Sequence, residues 1–178
     1  MALVASLSAA TAEYRSVQHK LDLIESGRLR PGTRVHLTPA ELNAYARETL
    51  PGVTGGVRNP ELKLLRPGVA QATALVDFGA IRRSQGNPPG WIMSHLLDGE
   101  RPVTVTAGIR SDGGQATVDI QSVQVSGVAI SGGTLDFLIQ HFLLPLYPDA
   151  AVGRPFELGD NIERIEVQPT GVDVVIGR

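Results

Sequence analysis

Apolar and polar residues alternate along this chain with two different periods, and the switches between them divide it into elements. Residues 16–26 carry Val17, Leu21 and Ile24 on one stripe with Leu23 beside it, the spacing of a helix, and Gly27 follows as a stop. Arg30-Pro31-Gly32 is a turn, and residues 33–37 predict a short strand with Val35 and Leu37 on one face. Thr38-Pro39-Ala40-Glu41 is the sharpest local signal. Thr38 serves as N-cap, Pro39 takes the first helical position, and Glu41 at the third completes a capping box. The helix it opens is expected to run to about Leu50, with Leu42, Tyr45, Ala46, Thr49 and Leu50 inward, and to end at Pro51-Gly52.

Strand-like alternation follows. Residues 57–66 and 69–82 predict two strands joined by Pro67-Gly68. In the second, Ala70, Ala72, Ala74, Val76, Phe78 and Ala80 share one face. Such small side chains let another body approach the sheet closely, either a docked helix or a ligand. Residues 84–90 are a loop, and residues 91–97, opening on Trp91, predict a short helix ended by Asp98-Gly99. A long hairpin comes next. Val103, Val105, Ala107 and Ile109 alternate with Thr104, Thr106 and Arg110, Asp112-Gly113-Gly114 makes the turn, and the return strand spans 115–130. Its apolar phase slips near Gln121-Ser122 and again near Gly127, the mark of β-bulges that bend a strand. Residues 134–147 predict a helix apolar nearly all round, interrupted only by Asp136, Gln140 and His141, with Pro145 kinking or ending it. A helix without a polar face is expected to be buried on most sides. The last hairpin pairs 162–167 with 172–176 around Pro169-Thr170-Gly171. The fold predicted is α+β: a strongly curved, mostly antiparallel sheet of long hairpins wrapping a hydrophobic helix.

The first twelve residues stand apart. They are small and apolar, and Ala10-Thr11-Ala12 has the A-x-A form of a signal-peptidase site, although no positively charged stretch precedes it. Residues 1–12 are therefore expected to be the remnant of an export signal, residues 13–178 a single domain, and the protein periplasmic or secreted. A length of 178 residues suits one domain and a core that holds without staples. No other stretch approaches the ~18 apolar residues of a membrane span, so the mature chain is expected to be soluble, in transient contact with a membrane at most. The pattern leaves the oligomeric state open.

Composition narrows the chemistry. Sixteen Lys and Arg balance eighteen Asp and Glu, and aromatics are 4%, which argues against nucleic acid as partner. There is no Cys, so neither disulfides nor thiolate metal sites exist. The four His show no zinc spacing, and His95 would need distant partners for a Ser-His-Asp relay. Glu163 and Glu166 are an odd number apart in a strand, so they are expected on opposite faces and not as an acid pair. Phosphate-binding and nucleophile-elbow motifs are missing. The expectation is a protein without enzyme activity, cofactor or metal. Two polar features keep two readings each. His141 is either a satisfied core histidine or a ligand to something bound, and Arg82-Arg83 is either solvated or holds a phosphate at a pocket mouth.

What remains is apolar surface in excess. The candidate groove is lined by Ala72, Ala74, Val76 and Phe78 of the small-residue face, by Trp91, and by Leu135, Leu138, Ile139, Phe142 and Leu146 of the apolar helix. The expected function is binding of a lipid or other apolar ligand there. The alternative is an envelope structural or protein-interaction module with a filled core.

Leu37-Thr38-x-x-Glu41-Leu42-Asn43, the long bent hairpins, and an apolar helix leading to a final strand pair resemble small exported bacterial proteins similar to the tubular lipid-binding, or TULIP-like, superfamily. The resemblance covers residues 33–178 in order of elements. It implies a highly curved sheet around a helix, an elongated groove, a phospholipid or other acyl chain as ligand, and neither enzyme activity nor metal.

Overall fold

A computed structural model describes residues 2–84, 99–143 and 152–177. The elements are α1 (Ala2–Glu25), β1 (Arg34–Leu37), α2 (Pro39–Thr54), β2 (Val57–Arg66), β3 (Val69–Asp77), α3 (Phe78–Ser84), β4 (Glu100–Asp112), β5 (Gln115–Val125), β6 (Val128–Ile130), α4 (Gly132–Leu138), β7 (Phe156–Glu157), β8 (Ile162–Gln168) and β9 (Gly171–Ile176). A π-helical turn, Ile139–Leu143, continues α4. The fold is α+β, and every ladder between these strands is antiparallel.

Two sheets form. The larger has the order β2-β3-β4-β5-β6, with β7 beside the start of β5; the smaller is β1-β9-β8. Among the described residues neither sheet closes on itself. The seam between them is β8. Its Val167 carbonyl accepts from the Gly68 N–H (3.0 Å), and its Glu163 carbonyl accepts from the Gly114 N–H (2.7 Å). Between these, the Ser111 hydroxyl donates to the Ile165 carbonyl and accepts from the Ile165 N–H. The hairpin turns of the large sheet thus satisfy an edge that would otherwise be open. Helix α1 covers the small sheet, where Val17, Ile24, Leu37, Val174 and Ile176 form one core. Val76, Phe78 and Ile81 form another at the far end of the large sheet.

The capping box is present as predicted, with the Thr38 hydroxyl accepting from the Glu41 N–H and the Glu41 carboxylate accepting from the Thr38 N–H. Helix α2 nevertheless runs through Pro51 to Thr54 and does not stop at Leu50. Proline there removes only the bond back to Arg47. The next turn still closes, because the Gly55 N–H donates to the Pro51 carbonyl from a left-handed cap at φ 66°. Helix α1 likewise begins at Ala2 and not at Ser16, unbroken across Ala12-Glu13. The upstream Ala and Leu are strong helix formers, and nothing before Ser16 interrupts them.

Two strands are shorter than their alternation suggests. β3 stops at Asp77, so Phe78, Ala80 and Ile81 lie on α3 and not on the sheet. The return strand ends at Val125, and Ser126-Gly127 is a reversal, both residues at positive φ, that folds β6 back on β5 with Val125 opposite Val128. The slip near Gln121 is a bulge, since Thr106 pairs Ser122 while Ala107 pairs Ile120. The Gln121 side chain lies across Gly108, where a Cβ would stand 2.8 Å from its amide nitrogen. The helix expected at 91–97 lies outside the described residues.

Candidate apolar site

Between the large sheet and α4 lies a cavity of about 300 Å³. Its floor comes from cross-strand rows on one face of β3, β4 and β5. Ala72 stands opposite Val105, which stands opposite Val123; Ala74 stands opposite Val103, which stands opposite Val125. Alanine ends at Cβ, so these rows are shallow on the β3 side. Leu135, Leu138 and Ile139 form the facing wall, and Leu50, Thr54 and Val57 close one flank.

The end wall depends on where β3 turns into α3. The Asp77 carboxylate accepts from the Ala80 N–H (2.8 Å) and so caps the helix. Its own N–H donates to the Gly56 carbonyl (2.8 Å). Glycine is required at 56 by space, because a Cβ would lie 2.6 Å from the Asp77 carbonyl and 2.7 Å from the Ile81 side chain. This close approach drops Phe78 and Ile81 onto the sheet end, where both are buried.

Polar groups play a small part in the lining. Thr54 is buried; its hydroxyl donates to the Leu50 carbonyl (2.7 Å) and accepts from the Val57 N–H (3.2 Å). Among the described lining residues the other polar one is Thr73. No described residue of α4 is fully buried; Leu135, Phe137, Leu138 and Ile139 are half-buried, while Asp136, Gln140 and His141 are exposed. Deep burial of the helix was the expectation from its composition. Over its described residues the helix is half-buried at most, with Leu135, Leu138 and Ile139 bordering the cavity and Phe137 and Leu138 packed against the Val76–Phe78–Ile81 core. His141 is neither buried nor a core group. Its ring stacks on Phe137 (centroids 4.2 Å apart), with Nδ1 3.0 Å from the Phe137 carbonyl oxygen.

Seven of the expected groove residues therefore meet around one space: Ala72, Ala74, Val76, Phe78, Leu135, Leu138 and Ile139. Trp91, Leu146 and the Phe142 side chain lie outside the described residues. Sequence reasoning missed Val103, Val105, Ile120, Val123 and Val125. Their alternation was visible, but only the strand register shows that they share a face with Ala72 and Ala74.

Elsewhere, polar side chains pair with one another and with backbone groups. Glu41 is buried between α1 and α2, where it accepts from Lys20 (2.6 and 2.8 Å) and from the Ser16 hydroxyl (2.6 Å). Burial pushes its carboxyl upward, but hydrogen bonds from Lys20, Ser16 and the Thr38 N–H outweigh that and hold it at about 2. The Asn43 amide pairs both backbone groups of Leu62, accepting from its N–H (2.7 Å) and donating to its carbonyl (2.9 Å). On the small sheet, Arg34 joins Glu166 and Asp173, and His36 meets Asp173 at 2.7 Å. Arg164 bridges Glu163 (3.1 Å) and Glu166 (2.7 Å), and Glu163 sits in a β8 bulge, where strand parity is broken. Arg83 faces Asp77 at 3.8 Å, so it is engaged within its own helix start. Among the described residues no group of three His, Asp or Glu could hold a metal ion, and no helix is long and apolar enough to cross a membrane.

No protein-family model, no curated protein and no solved structure matches this chain.

Proposed function

We propose that this protein binds a lipid or other apolar ligand, without enzyme activity, in the cavity between β3, β4, β5 and α4. The observation that carries the reading is the space itself: about 300 Å³, bordered almost wholly by aliphatic side chains. Binding sites for small molecules begin at roughly this size and have this lining. Left empty and closed, such a cavity would cost about 7 kcal/mol at ~24 cal/mol per Å³. That upper bound rivals the whole stability of a domain, roughly 5–15 kcal/mol, and it falls as the mouth admits solvent. A ligand restores the missing contacts. At ~0.8 kcal/mol per buried CH₂, ten methylenes contribute about 8 kcal/mol before ordering costs.

In this reading the large sheet curls around α4, which is held off the Ala72–Ala74 strip. Membership of the tubular lipid-binding superfamily, export, and processing after Ala12 belong to the same proposal. They are supported by the Leu37–Asn43 motif and by the Ala10-Thr11-Ala12 site. The test is titration with trans-parinaric acid, a fluorescent straight-chain fatty acid whose methyl end is unsubstituted, against wild type and Ala74→Phe. Phenylalanine at 74 should fill the cavity and weaken probe binding at least tenfold while the fold persists. Equal binding by both proteins, or none by either, would remove the ligand and favour a packed interaction module.

A further inference from the structure

We infer that the cavity takes one straight aliphatic chain, tail first, and reads the length of that chain but not its head group; this rests on the ligand-binding reading above.

Size limits the occupant. A volume of about 300 Å³ holds roughly ten groups of the ~30 Å³ a water molecule occupies in the liquid, a size close to that of a methylene. That is one medium-length chain, not the two chains of a phospholipid. Burial gives its direction. Ala72 is exposed and Ala74 half-buried, while Val76, Phe78 and Ile81 are 8%, 6% and 3% exposed. Along β3 burial therefore deepens from Ala72 toward Phe78 and Ile81, the blind end. Val123, at the β5 end of the Ala72 row, is buried, which places the mouth on the β3 side of that row. Val76 lies four residue steps from Ala72, about 13 Å of β3.

Chemistry places the head. Among the described lining residues none is charged. The Thr54 hydroxyl already donates to Leu50 and accepts from Val57. An ionised head at the blind end would lose its water and meet no charged group among the described lining residues, which is strongly unfavourable. It stays in solvent beyond Ala72, and affinity comes from the tail alone. The length limit is rigid. Phe78 and Ile81 are held by α3, and α3 is locked by the close approach of Gly56 to Asp77 and Ile81.

The experiment is calorimetric titration of the full chain, after delipidation, with straight-chain alcohols and the matching carboxylates. Chains from about 6 to about 16 carbons bracket the expected limit. Affinity should rise about fourfold per methylene up to about ten carbons and then level off. Alcohol and carboxylate of one length should agree within about threefold. Phe78→Leu should move the break to a longer chain; if that variant does not fold, the wild-type series decides alone. A rise without a break to the longest chain overturns the inference. So does a preference above about tenfold for one head. Those outcomes leave the ligand reading standing. Absence of binding at every length removes both.

Discussion

Protonating or neutralising Glu41 should loosen the joint between α1 and α2. Its carboxylate is 3% exposed, bonded to Lys20, Ser16 and the Thr38 N–H, and its pKa is lowered from 4.5 to about 2. A group depressed in the folded state binds its proton more readily when unfolded. Its stabilisation is therefore complete above the unfolded value and is lost as pH falls from about 5 to about 2. The shift corresponds to about 3 kcal/mol at ~1.4 kcal/mol per pKa unit. Lys20 is 28% exposed, and the screening this allows brings the expected contribution nearer to about 2 kcal/mol. Urea unfolding of wild type and Glu41→Gln at pH 7 and pH 2 measures it. The gap between the proteins should be about 2 kcal/mol at pH 7 and should nearly vanish at pH 2. A gap unchanged by pH would refute the role of the charge, and no gap at pH 7 would refute the role of the residue.

Substitutions at two further positions probe the frame around the cavity. Asn43→Ala strands the backbone N–H and carbonyl of Leu62 and should cost about 1–3 kcal/mol in the same urea assay, with Asn43→Asp in between because it keeps the acceptor. Gly56→Ala puts a Cβ 2.6 Å from the Asp77 carbonyl; it should cost at least the about 1–3 kcal/mol of an overpacked site and weaken probe binding by moving α3, so an unchanged melting temperature would contradict the assigned end wall.

The motif that suggests tubular lipid-binding proteins has a local explanation in every residue. Leu37 enters the core under α1, Leu42 packs against that core, Thr38 and Glu41 cap α2, Glu41 also ties down α1, and Asn43 pairs the outer edge of β2. It positions the frame and makes no contact with the cavity. Such features are legible because their partners are near in sequence or set by turn chemistry: the capping box, the Pro67-Gly68 and Asp112-Gly113-Gly114 reversals, the Gln121 bulge and the last hairpin. The errors arise where one pattern serves two structures. Val76-Asp77-Phe78-Gly79-Ala80-Ile81 alternates like a strand, yet Asp77 caps a helix because Gly56 receives its N–H. A phase slip at Gly127 reads as a bulge, and the paired positive φ of Ser126 and Gly127 makes it a reversal. Half the cavity wall was likewise readable only in part. The Ala strip and the apolar helix stand out by composition, whereas Val103, Val105, Val123 and Val125 join them through a register that long-range pairing sets.

The most direct measurement is of what the purified protein carries. Expressed, washed free of detergent and extracted with chloroform and methanol, wild type should yield a single-chain aliphatic compound by mass spectrometry. The yield should approach one per protein chain, and Ala74→Phe should yield little or none. Wild type that extracts empty, and stays empty after incubation with fatty acids and phospholipid, would contradict the ligand-binding reading.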